Sequence, residues 1–247
     1  MNKEKETMDH TFVSKTHFNH PEPAEFTEYM HASIAVLFGK QLLKAEKGKE
    51  IFSYCVEQYG RERGMRMAKR CLRDQRNLDW QAYADYREWN PSETVIKNNA
   101  GSRIQIEQAE PDRISRFLNC PWADQFAKMD AKEIGALYCS LIDPSIVSGF
   151  NPSLVFITDK NLGKDGYCLQ IQKQCKELKP AAYKMENQKG MDYHCAHLFY
   201  TFARTIEEVL PDGKEINRKV LDAFAQVWGR ETADTLITYK NTDFLKI

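Results

Sequence analysis

The sequence has no excess of charge of either sign: 35 lysines and arginines face 35 aspartates and glutamates. It offers no reason to expect the basic patch or stripe by which nucleic acid is gripped. No apolar run approaches the roughly 20 residues a membrane span needs. The polar start "MNKEKETMDHTF" lacks the apolar stretch of a signal peptide. We therefore expect a soluble, cytoplasmic protein with no nucleic-acid or membrane partner. Paired cysteines are missing too. There are seven, an odd number, and no two have CxxC spacing. That argues against a disulfide scaffold and against a finger-type zinc site.

What is present is a change of period along the chain. Residues 1–25 are polar and read as an arm. Over 26–88, "FTEYMHASIAVLFGKQLLKAE" and "KEIFSYCVEQYGRERGMRMAKRCLRD" place apolar residues at helical spacing on either side of Gly48. The pattern predicts a helical hairpin. Between 89 and 180 it shifts. "ETVIKNNAGSRIQIEQA" reads as strand, turn, strand; "DRISRFLNCPWADQFAKM" as a strand running into a helix. "DAKEIGALYCSLIDPSIVSGF" reads as a helix closed at or just after Pro144, and "SLVFITDKNLGKDGYCLQIQK" as a hairpin turning at Asn161–Gly166. From 190 to 247 the pattern is helical again. The expected fold is one α+β domain over 26–247, a central antiparallel sheet flanked by two helical hairpins. The hairpins share strings: His31 aligns with His194, Gly48 with Gly213, Gly60 with Gly229 and Asp79 with Asp243. This points to an internal repeat.

Three cysteines stand beside a structure breaker or an acid. Cys120 precedes Pro121, which disfavours the α conformation before it and places the thiol at a helix start. There the helix dipole is expected to lower its pKa. Cys139 lies four residues before Asp143, so one helical face presents thiol and carboxylate together. Cys168 follows a hairpin turn. Asn151, in "GFNPSL", can donate and accept hydrogen bonds. Buried thiols of no chemical consequence remain an alternative for all three.

At these residues, "NCPWAD", "GALYCSLIDPSIVSGFNPSL" and "LGKDGYCLQI", the chain resembles the L-2-amino-thiazoline-4-carboxylic acid hydrolase family, with "YGRERGMRMAKR" in support. The last element carries one extra residue before its cysteine. The resemblance implies opening of a cyclic isothiourea: water ends on the carbon between nitrogen and sulfur, and sulfur leaves. It implies catalytic roles for Cys120 or Cys139 as nucleophile, Asp143 as the acid holding the amidine, Asn151 as an orienting group and His194 or His31 as base. Trp122, Phe150, Cys168 and His31 would line the substrate, with Arg116 or Lys160 for its carboxylate. No cofactor is implied. A second resemblance, to 4-vinyl reductase sensor domains, implies instead a binding module in which Cys120, Cys139, Cys168 and Asp143 hold zinc.

Overall fold

The structure, a computed structural model, describes residues 25–247. The expected arm lies outside the described residues except for Glu25. The order of elements is α1 (Glu28–Leu42), α2 (Gly48–Arg73), α3 (Trp80–Asp85), α4 (Glu93–Lys97), β1 (Ile104–Gln108), β2 (Arg113–Phe117), α5 (Pro121–Lys128), α6 (Lys132–Phe150), β3 (Phe156–Lys160), α7 (Leu162–Asp165), β4 (Cys168–Gln172), α8 (Met191–Val209), α9 (Gly213–Trp228) and α10 (Arg230–Thr238). The four strands form one antiparallel sheet in the order β1-β2-β4-β3. The fold is α+β, as the change of period implies.

The two terminal hairpins pack on each other, α1 and α2 against α8 and α1 against α9. The sheet does not lie between them. It rests against α6 through β3, which leaves β1 exposed along its whole length. The hairpins bury the main core, including Phe38, Phe52, Phe202 and Phe224. The shared strings mark equivalent places in part. His31 and His194 are each the fourth residue of their helix. Gly48 and Gly213 each open the second helix of a hairpin, where an added Cβ would meet the carbonyl oxygen of Leu42 or Ile206 at 1.8 or 2.5 Å. Only a residue without a side chain allows that approach. The equivalence stops at the next pair. Gly60 lies inside the continuous α2, whereas Gly229, at φ +95°, separates α9 from α10.

Two sequence expectations need correction. Residues 93–97 form a helical turn, α4, and not a strand. Ser92 Oγ accepts from the Val95 amide, and the Glu25 carboxylate accepts from the amides of Glu93 and Thr94 at 2.6 and 3.0 Å. Capping thus outweighs the β propensity of Thr94, Val95 and Ile96. Helix α6 does not stop at Pro144 but runs through it to Phe150. A proline inside a helix costs about 3 kcal/mol or more. Packing on α2 offsets it. The backbones touch where Gly60 faces Ser145, Gly64 faces Ile146 and Gly149 faces Arg61. A Cβ on Gly64 would sit 2.0 Å from the Ile146 carbonyl oxygen.

The interior also holds charge. Glu88 accepts from Arg66 Nε at 2.6 Å and pairs with Arg70, all three buried. Glu62 accepts from His197, Thr201 and Arg204. Burial alone would raise the Glu88 pKa, but Arg66, with Arg70 and Arg63, holds it below the usual carboxylate value.

We predict that Gly64→Ala destabilises the protein by about 1–3 kcal/mol, the cost of forcing atoms into a close-packed contact. Gly101→Ala, whose Cβ would meet Val95 Cγ1 at 3.9 Å, leaves stability nearly unchanged. Urea denaturation of both variants checks this. Glu88→Gln, which strands two buried arginines, is expected to cost about 3–5 kcal/mol in the same experiment.

Candidate functional site

The site lies where the helical body meets the sheet. Helix α5 starts directly after Cys120 because Pro121 supplies a helical φ and needs no amide partner at the first position. Helix α6 carries Cys139 and Asp143 one turn apart, while Tyr138 packs on Phe126 and His31 of the helical body. Cys168 and Gln170 come from β4, opposite Phe117 and Ser115 of β2. The segment between α3 and α4 adds Trp89, whose ring stacks on Trp122 at 4.6 Å.

Cys120, Cys139, Cys168 and Asp143 are brought close enough that each thiol feels Asp143; Cys139 also feels Cys120 and Cys168, and Cys168 feels Cys120. All four keep part of their surface open, yet Asp143 and Cys139 are desolvated as strongly as interior groups. The four thus share a partly covered place at the margin of the sheet, the crevice, where burial governs the titration. Burial raises the Asp143 pKa to about 6, against the opposing pull of Arg63 and of Gln170, whose Nε2 donates to Asp143 Oδ2 at 2.9 Å. Burial likewise pushes Cys139 well above the ordinary thiol value and Cys168 up to about 12.

Cys120 moves the same way, which corrects the expected lowered pKa. Burial dominates. The amides of Ala123 and Trp122 and the Ser102 hydroxyl pull in the other direction without completing a capping bond, and the Asp143 charge adds to the rise. The dipole of a short helix is outweighed by the loss of water. As free thiols, all three cysteines are protonated at neutral pH.

The histidines are placed differently from one another. His31 is buried, and both ring nitrogens are used. Trp122 Nε1 donates to Nδ1 at 3.1 Å, so Nε2 carries the proton and faces the Tyr59 hydroxyl at 2.8 Å. That makes Trp122 and His31 a fixed wall, and His31 is not free to act as a base. His194 Nε2 lies 3.4 Å from the Glu88 carbonyl oxygen, which can only accept; its Nδ1 is therefore an unprotonated acceptor, buried and without a partner. Burial, then Arg63, drives both pKa values well below the ordinary imidazole value.

Other expected residues fall elsewhere. The Asn151 side chain donates to the Leu78 carbonyl at 2.7 Å and accepts from the Ser153 amide at 2.9 Å, so both ends serve the turn after α6. Phe150 is core, edge-on to Tyr83. Arg116 is held by Glu107 and lies over the Tyr167 ring at 4.0 Å. Lys160 ends β3, in register with Leu169. Two surface hollows, one by Leu43 and Glu133, one by Glu110 and Gln174, are lined by none of these site residues. Among the described residues, no three His, Cys, Asp or Glu side chains converge as ligands of one metal ion.

The residue missed from sequence is Arg63. It is 7% exposed, and its guanidinium sits 4.9 Å over the Trp89 ring. The signal lay in "YGRERGMRMAKR": Tyr59, Arg63, Arg66 and Arg70 repeat at helical spacing on the face of α2 that also carries buried Cys55, Val56 and Met67. Charged residues on an apolar face imply buried partners or a ligand.

The family model described as L-2-amino-thiazoline-4-carboxylic acid hydrolase matches residues 27–169, more than half of the chain. No curated protein and no solved structure matches.

The raised Asp143 pKa sets a stability signature. Its contribution is complete below the ordinary value of 3.8 and is lost as pH rises through about 6. Asp143→Asn cannot ionise, so it should gain thermal stability over the wild type at pH 8, with the gain shrinking toward pH 4. Equal Tm differences at both pH values would show that Asp143 titrates as an ordinary surface carboxylate.

Proposed function

The chain belongs to the L-2-amino-thiazoline-4-carboxylic acid hydrolase family, and we propose that it is a hydrolase that opens a cyclic isothiourea or related amidine ring in a small amino-acid-like substrate. The observation that carries this reading is the placement of Asp143. A carboxyl raised to about 6 by burial, in a crevice shared with three thiols, is mostly ionised at neutral pH yet takes up a proton far more readily than an ordinary carboxylate. It can therefore both hold a cationic amidine and exchange a proton within one turnover.

The chemistry assigned to the residues is as follows. Ionised Asp143 pairs with the exocyclic nitrogen of the amidinium. Cys120 is the thiol best served by donors, the Ala123 and Trp122 amides and the Ser102 hydroxyl, so its thiolate is the one the site can best support. Moving the Cys120 proton to Asp143 removes the neighbouring negative charge as it creates the thiolate, so the pair shares one charge between two sites. Attack of Cys120 Sγ on the carbon between nitrogen and sulfur forms a carbon–sulfur bond. The ring carbon–sulfur bond breaks, and the departing sulfur takes the proton from Asp143. Asp143 then deprotonates a water that attacks the same carbon; the bond from carbon to Cys120 Sγ breaks, Sγ takes the proton back from Asp143, the remaining proton passes to solvent, and the carbon leaves as a carbamoyl product. Tyr138 and the stacked Trp89 and Trp122 wall the crevice and keep bulk water out.

Incubation of the purified protein with L-2-amino-thiazoline-4-carboxylate, followed by mass spectrometry, tests this. The expected product carries the mass of one added water and a free thiol. Asp143→Asn and Cys120→Ser should each lower kcat by about 100-fold or more, the usual scale for general acid–base or nucleophilic groups, with unchanged circular dichroism. A wild-type protein that leaves the compound intact between pH 6 and 9, or full activity in both variants, would overturn the reading.

A further inference from the structure

Arg63 is the unexplained charge of this interior. Its neighbours on α2, Arg66 and Arg70, share Glu88, and both Glu88 oxygens are taken by them. Glu62 is taken by His197, Thr201 and Arg204. Arg63 itself has no hydrogen bond and no ion pair among the described residues, and its Nε is buried without a partner. A lone buried guanidinium is costly unless paired. What compensates it is the Trp89 ring face at 4.9 Å, the Tyr59 ring at 5.7 Å and, without direct contact, the Glu88 charge that two other arginines already occupy; none of these is an anion of its own.

Asp143 registers the Arg63 charge, yet the two do not form an ion pair. The two opposite charges are near enough to interact but lie beyond ion-pair distance. His194 meets the Trp89 ring edge to face, at 5.5 Å between ring centroids, with Nδ1 an unpartnered acceptor. One indole is thus flanked by an orphaned donor and an orphaned acceptor.

We infer that Arg63 is the group that anchors a substrate carboxylate beside Trp89, with His194 Nδ1 accepting from an N–H next to that carboxylate. The inference deepens the hydrolase reading and rests on it for the use of the site. It assigns the recognition of the amino-acid end to α2 and α8, and the reacting end to α5 and α6. A substrate held this way lies across the gap between Arg63 and Asp143, its carboxylate at one charge and its amidinium at the other. Arg63 is then a binding residue whose loss acts on KM more than on kcat. Arg116 and Lys160 are not needed for this role.

The test uses thermal shift on the full chain with three probes that do not depend on turnover. L-thiazolidine-4-carboxylate has a carboxylate beside an N–H. Cyclopentanecarboxylate has the carboxylate alone. 2-Amino-2-thiazoline has the amidine without a carboxylate. The first should raise the Tm of the wild type most, the second less. Arg63→Gln should weaken both by roughly 10- to 100-fold in half-saturating concentration, as expected for loss of charge-assisted hydrogen bonds. Binding of 2-amino-2-thiazoline should be unchanged in that variant. Without ligand, Arg63→Gln should keep or raise the wild-type Tm, whereas Arg66→Gln, which breaks the pair with Glu88, should lower it. Arg63→Lys, which keeps charge but not the fork, should fall between. Equal response of wild type and Arg63→Gln to both carboxylates overturns the inference, as does no response in either. A Tm loss in Arg63→Gln as large as in Arg66→Gln also overturns it, since Arg63 is then structural. Carboxylate binding that depends on Arg63 but without any hydrolysis of L-2-amino-thiazoline-4-carboxylate upholds this inference and defeats the hydrolase reading.

Discussion

Glu88 holding Arg66 and Arg70 inside the helical body is the interaction on which the rest depends. It ties the segment after α3 to the middle of α2, and Trp89 follows it directly. Trp89 then stacks on Trp122, which donates to His31, which faces Tyr59 on α2 again. The chain of contacts closes a ring through α1, α2, α5 and the Trp89 segment. Such a ring keeps the crevice walls fixed without a ligand present. A buried ion pair is seldom a large net source of stability, because desolvation consumes much of the attraction. Its value here is placement: a carboxylate with both oxygens committed can stand in only one position.

The close contact of α2 with α6 serves the same end by other means. Gly60, Gly64 and Gly149 let the two backbones touch. That contact carries α6 through Pro144 and so keeps Asp143, the residue just before the proline, inside a helix. Had the helix ended there, the carboxyl would sit on a flexible turn with free access to water, and nothing would raise its pKa.

Much of this was legible in the sequence, and the parts that were not share a cause. Period alone separated the helical ends from the strand-bearing middle, and the shared "GKEI" strings found glycines that serve the same steric need in both hairpins. The cysteine and Asp143 positions that local spacing singled out are those gathered at the crevice. Pro144, residues 93–97 and Cys120 went the other way because long-range contacts overrode local preference. The glycines of α2, the carboxylate of Glu25 and the burial around the thiol each come from far along the chain. Asn151 looked chemical because its side chain is versatile, and that versatility is used up on Leu78 and Ser153. Arg63 was hidden among arginines that read as a charged helix face, since a sequence does not say which of several charges is paired.

The sheet's position at the margin leaves two strands with an outer edge, β1 and β3, and each shows a register shift in its pairing, near Ile106 and near Thr158. An open edge with exposed Ile104, Ile106 and Ile157 is a template on which another copy's strand can add. Five residues interrupted by an irregularity offer too short a run of matched amides and carbonyls for that addition to propagate. The same irregularities that spoil the ladder within the molecule therefore guard it against aggregation at high concentration.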